Sequence, residues 1–221
     1  MELQVKSVLR TKSEHCIFFF MVQSDSDFFL TKNKYSTPLL ELWPNINLAL
    51  GRVHEACGPN RHSLAMMIAQ KTKGHIFWVA PEWSIDCLHA DGVISFINPG
   101  RLTFLNPKRT EDILWTLEEV LRSGVVPLII ADLPGLPALT PVRRLNLAAE
   151  TGTREGKHSP LGLLLTPGNG GAPGIESRWY LSAHHQGMKN IWQLKRMRSR
   201  REPPKSWSLS YENGCYKTSI L

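Results

Sequence analysis

The alternation of apolar and polar residues changes period along the chain, and each change predicts an element. Val53, Glu55 and Cys57 share one side of a short β-capable run that ends at the turn Gly58-Pro59. Leu64, Met67 and Ile68 then recur at i, i+3, i+4, the spacing of a helix with one buried side. His75–Ala80 (HIFWVA) is a compact apolar run stopped by Pro81, a buried strand, and Arg101–Leu105 (RLTFL) alternates as another. Thr110–Ser123 places Ile113, Leu114, Leu117, Val120 and Leu121 on one helical side. Thr110 is the expected cap there, and Glu111-Asp112 brings negative charge to the first turn. Val125–Ala131 (VVPLIIA), ending in Asp132, is the most apolar strand, although Pro127 lacks the amide a central strand donates.

Thr140-Pro141 opens another helix, with Thr as cap and Leu145, Ala148 and Ala149 on its buried side. Leu161–Leu165 (LGLLL) reads as a further buried strand. Ser177–Leu181, Trp192–Met197 and Trp207–Tyr211 then alternate between Gly- or Pro-containing turns, as an antiparallel meander would. This order predicts an α/β fold: a mostly parallel central sheet flanked by helices, with C-terminal antiparallel strands. Residues 1–47 show no clear period and read as a variable extension. Residues 48–211 form the expected domain and residues 212–221 a tail.

With 221 residues, 42% of them hydrophobic and 20% charged, the chain is long and apolar enough to bury a core. Cys16, Cys57, Cys87 and Cys215 are scattered without CxxC pairs or zinc-spaced histidines, which predicts reduced thiols and no metal. His184 and His185 read as an exposed loop. The most membrane-like run, CIFFFMV at Cys16–Val22, is far shorter than the ~20 residues a spanning helix needs. Basic residues precede it, but Ser24-Asp25-Ser26-Asp27 follows where a cleavage site should lie. A cytoplasmic protein without a membrane segment is expected.

Gly51–Ala65 (GRVHEACGPNRHSLA) has the layout of a phosphate-binding loop, with strand, Gly turn and helix. A working loop needs a second glycine, a lysine for the β/γ oxygens and a Ser/Thr for magnesium. Counted from Gly58, those places hold Ser63, Leu64 and Ala65. Asp132, at the end of its apolar strand, stands where a Walker B carboxylate would. The sequence therefore reads as a vestigial nucleotide site (Gly58, Ser63, Asp132) without a bound cofactor or catalytic residues. Arg61 and His62 offer charge but no backbone nest. Glu55 reads as pairing with a cation or facing solvent. Ser63 with His62 and Asp132 lacks a nucleophile elbow. The glycine-rich PGNGGAPG of Pro167–Gly174 has no Lys-Ser/Thr end, so a flexible hairpin connection is expected.

These segments together resemble the RecA-like ATPase core. LALGRVHEACGP is similar to the strand entering its Walker A loop, LEEVLRSGVVPLIIAD to the helix and Walker B strand, and LPALTP to the loop beyond. Within that superfamily the chain resembles ImuA-like proteins in GRVHEACGP, DILWTLEEVLRSG, RRLNLAAETG and the basic C-terminal strands. The likeness spans about Leu48 to Tyr211. It implies a noncatalytic accessory role in SOS-induced, error-prone translesion synthesis. The implied partners are an ImuB-type polymerase-like protein, a DnaE-type polymerase and RecA. It also places Pro167–Gly174 where RecA has a mobile DNA-binding loop. A DNA-dependent ATPase with a rebuilt phosphate site and a SulA-like inhibitor of cell division are the alternatives.

Charge directs attention to the C-terminus. The formal net charge is +7, yet Lys189–Lys205 holds seven basic residues and one acid, leaving 19 basic and 18 acidic residues elsewhere. Lys195, Arg196, Arg198, Arg200, Arg201 and Lys205, flanked by Trp192 and Trp207, are therefore the candidates for contacting DNA or an acidic protein. Exposed tryptophans could stack on bases. The same charges could equally protect a strand edge.

Overall fold

Nine strands form the central sheet of the computed structural model, which describes residues 37–84, 88–185, 187, 190–212 and 214–221. The strands are β3 (Val53–Cys57), β4 (Ile76–Val79), β5 (Leu102–Leu105), β6 (Leu128–Asp132), β7 (Leu161–Leu165), β8 (Ser177–Ala183), β9 (Ile191–Ser199), β10 (Lys205–Glu212) and β11 (Cys215–Ile220). Their spatial order is β11-β10-β9-β8-β3-β7-β6-β4-β5. Strands β3 to β8 run parallel, and β9, β10 and β11 continue the sheet in antiparallel steps. The expected fold class is the observed one.

Helices α1 (Arg61–Gln70), α2 (Ala90–Ile94), α3 (Thr110–Ser123) and α4 (Leu139–Glu155) divide between the two faces. On one face, Leu64 to Ala69 of α1 pack with Ile76, Trp78, Ile130, Leu163, Trp179, Leu194 and Trp207. On the other, Ile113, Leu117 and Leu121 of α3 and Val142, Leu145 and Ala149 of α4 cover Val53, Val79, Ile129 and Leu164. Parallel strands covered on both sides must be apolar throughout, and all five residues of β3, β6 and β7 are buried. Helices α3 and α4 meet closely because Gly152 has no side chain: a Cβ there would lie 2.0 Å from Leu121 O. Buried Glu118 joins them, pairing with Arg122 on its own helix and with Arg144 across the gap at 2.8 Å.

Several boundaries correct the sequence reading. A hairpin of β1 (Leu39–Trp43) and β2 (Ile46–Ala49) straddles the limit set between extension and domain, and Leu42, Trp43, Ile46 and Leu48 belong to the core. The compact unit begins at Thr37. The tail contains β11, whose Tyr216 packs against Trp43 with ring centroids 5.9 Å apart. Neither predicted threonine cap forms: Arg109 and Ala138 hold the N-cap positions, and the threonines lie inside the helices. Pro127 is no obstacle, because β6 starts at Leu128 and the Pro127 carbonyl accepts from Leu161 N at 2.9 Å. Cys57 and Cys215 are free thiols; Cys16 and Cys87 lie outside the described residues, as does the Cys16–Val22 run. None of the described helices is long and apolar enough to cross a membrane.

Candidate functional site

Strand β3 ends at the sheet's switch point, between β7 and β8, where open parallel sheets bind ligands. The loop that follows should present amides to a phosphate. Three of its amides are instead taken by carbonyls of the protein. Gly58 N donates to Gly168 O at 2.9 Å, Asn60 N to Leu181 O at 3.2 Å and Arg61 N to Gly58 O at 3.3 Å, while Pro59 has no amide. The Asn60 side chain also accepts from Ala183 N at 2.8 Å. Gly58 has φ +91, and a Cβ there would lie 2.6 Å from Leu181 O, so this glycine serves close packing on β8.

Asp132 is also committed. His62 Nε2 donates to its Oδ2 at 2.6 Å, and Arg61 Nε lies 3.7 Å from Oδ1. The carboxylate is buried, and a histidine and an arginine stand where a metal ion would. The structure therefore brings Gly58, His62 and Asp132 together around one loop. Ser63 lines, with Arg61 and His62, a cavity of about 650 Å³ that Met66, Trp78, His89 and Phe96 also bound. Among the described residues no group of three or more His, Cys, Asp or Glu side chains is placed to hold a metal.

Glu55, which the sequence left between a cation and solvent, is fully buried and has four partners. Its Oε1 accepts from Thr166 Oγ1 at 2.7 Å, Gly171 N at 2.8 Å and Ala172 N at 3.0 Å, and its Oε2 from Arg178 Nε at 2.5 Å. The alternation of β3 places it beside Val53 and Cys57, on the face where Pro167–Gly174 crosses. That crossing was expected to be a flexible hairpin. It instead joins two parallel strands across β3, and Glu55 fastens it from below. Burial and the Glu55 carboxylate push the neighbouring Cys57 thiol up to about 12, so it stays protonated and unreactive.

His54 points to the opposite face and completes a second buried network. Trp179 Nε1 donates to Ser177 Oγ at 2.7 Å, the Ser177 hydroxyl donates to His54 Nδ1 at 2.7 Å, and His54 Nε2 donates to Ala49 O at 2.8 Å. This assignment requires a neutral imidazole. Burial lowers its pKa from 6.5 to about 4. A Ser–His contact of this kind could suggest a nucleophile, but both residues are sealed in the core and no carboxylate orients the ring. The sequence reading missed His54 and Ser177, since a lone histidine within an apolar strand gives no signal of its partner 123 residues away.

The basic segment is sorted by the sheet. Arg196, 4% exposed, faces the core between Trp179 and Trp207, 5.7 and 5.2 Å from their ring centroids, and pairs with Glu202. Trp207 is buried, and Trp192 packs between His185 and Tyr216, so neither ring is free to stack on bases. Arg201 pairs with Glu176 at 3.0 Å. Lys195, Arg198, Arg200 and Lys205 make no ion pair among the described residues, and Lys189 lies outside them. Ser206, Ser208 and Ser210 line the half-exposed side of β10.

No protein-family model matches this chain, and no curated protein matches it in sequence.

Proposed function

We propose that this chain is a noncatalytic, RecA-like adaptor of error-prone translesion synthesis, an ImuA-like accessory protein acting beside an ImuB-type polymerase-like protein, a DnaE-type polymerase and RecA. The observation that carries the noncatalytic reading is the use of the loop after β3. The amides of Gly58, Asn60 and Arg61 are spent on the Gly168, Leu181 and Gly58 carbonyls, and His62 and Arg61 occupy the carboxylate of Asp132. A triphosphate would have to break these contacts and would still meet neither a P-loop lysine nor a magnesium-binding hydroxyl. The mostly parallel sheet, with that loop at the end of a central strand, supports the RecA-like ancestry suggested by the sequence. The unpaired cations of β9 support an adaptor that works through its surface.

Deleting the gene should lower DNA-damage-induced mutagenesis, and the purified chain should not hydrolyse ATP with or without single-stranded DNA. Turnover that disappears in Asp132→Ala would instead make the protein an ATPase. Cell filamentation on overexpression, with mutagenesis unchanged in the deletion strain, would favour an inhibitor of cell division.

A further inference from the structure

The glycine-rich crossing from β7 to β8 is where three elements meet at the surface. Leu136 Cδ1 and Leu139 Cδ1 stand 2.8 and 3.0 Å from the positions Cβ atoms would take on Gly171 and Gly174. Arg143, one turn along α4 from Leu139, has its Cγ 4.0 Å from the same point at Gly174. Arg200, beyond β9, donates from Nη2 to the Gly174 carbonyl at 2.9 Å. Arg198 stands opposite Arg178 in the β8–β9 register, and Arg178 Nη2 holds the Ala172 carbonyl at 3.0 Å. One surface thus carries Leu136, Leu139, Arg143, Arg198 and Arg200.

The leucines are 55% and 38% exposed, and all three arginines are exposed. Among the described residues no carboxylate lies within ion-pair distance of these three guanidiniums. Glu55 fixes the glycine backbone beneath them, so the surface is ordered before any partner arrives and loses little entropy on docking.

The chemistry selects a class of partner. A single nucleic-acid strand would need rings for its bases, and both candidate tryptophans are packed elsewhere, on the other side of the sheet. Exposed leucines among arginines suit a protein: apolar area for its apolar side, and planar forks for its carboxylates. We propose that this surface docks an acidic amphipathic segment of a protein partner. Leu136 and Leu139 receive its apolar side, and Arg143, Arg198 and Arg200 its carboxylates. The proposal rests on the adaptor reading for the existence of a partner.

The test uses the full chain and three fluorescent probes, read by anisotropy. The first is a peptide of roughly 18 residues with Leu at helical spacing and Glu elsewhere. The second carries Lys in place of Glu, and the third is a single-stranded oligothymidylate. The acidic peptide should bind about tenfold or more tighter than the basic one, and Leu136→Ser and Arg143→Glu should each weaken it about tenfold. Arg198→Glu, on a different element, gives an independent reading, and circular dichroism melting confirms that each variant is folded. Equal binding of the two peptides, or acidic-peptide binding indifferent to all three variants, overturns the proposal. So does oligothymidylate binding that is lost in Arg143→Glu and kept in Leu136→Ser, which would make the surface a phosphate binder. Failure here leaves the mutagenesis assay untouched, and failure there leaves the peptide measurement standing.

Discussion

Strand β3 and the lower end of β9 both carry charge and polar side chains, and they use them in opposite ways. At β3, Glu55 has four donors, His54 has two partners, and the Asp132 carboxylate beside the following loop is held by His62. At the end of β9, Arg198 has no carboxylate partner among the described residues, and just beyond the strand Arg200 touches a backbone carbonyl. Charge satisfied inside the protein is architecture, because removing one partner strands the other in low dielectric. Charge left unsatisfied at the surface costs the fold little and remains available to a second molecule. The region that looks like a nucleotide site belongs to the first kind.

Four experiments press on that difference, from the largest effect on stability to the smallest. Glu55→Ala leaves Arg178 without its buried partner and releases the amides of Gly171 and Ala172; urea unfolding should show a loss of about 3–5 kcal/mol. A change under 1 kcal/mol would mean that the crossing holds itself in place. His54 gives the next effect. Its folded pKa of about 4 lies below the unfolded value of 6.5, so the unfolded chain takes up the proton first as pH falls. The stabilisation is complete above pH 6.5 and is lost toward pH 4, by about 3 kcal/mol. His54→Gln should flatten that portion of the pH profile, and an unchanged slope would assign the loss to other groups.

Arg196→Ala should cost about 2 kcal/mol, through lost packing between two tryptophans and a broken pair with Glu202. Arg198→Ala, two residues along the same strand, should stay within about 0.5 kcal/mol of wild type by thermal melting, as should Arg200→Ala. If Arg196 and Arg198 prove equally costly or equally neutral, the sorting of the basic run by the sheet is wrong.

The elements most legible in the sequence were those whose own pattern sufficed. Leu161–Leu165 and Thr110–Ser123 were placed with their observed limits, because a closed apolar run and a 3.6-residue stripe announce themselves. The β1–β2 hairpin was missed, although Pro44-Asn45 between two short apolar runs is a turn signal, and Asn45 does adopt φ 64. The loop after β3 stands out in the sequence by the glycine, lysine and Ser/Thr it lacks. Its hydrogen bonds to Gly168 and Leu181 were invisible, since each joins residues more than a hundred positions apart.

The sequence by itself determined the alternation of strands and helices, the absence of P-loop residues after Gly58 and the concentration of positive charge near the C-terminus. Those follow from local period, residue identity and composition. Only the tertiary structure decided which charges are spent. Strand alternation and the bulge in β8–β9 pairing turn Arg196 inward and Arg198 outward, and the crossing over β3 gathers Leu136, Leu139, Arg143 and Arg200 from distant segments. Whether a charge is free depends on what folding brings within a few ångströms of it, and that is a property of the packed chain.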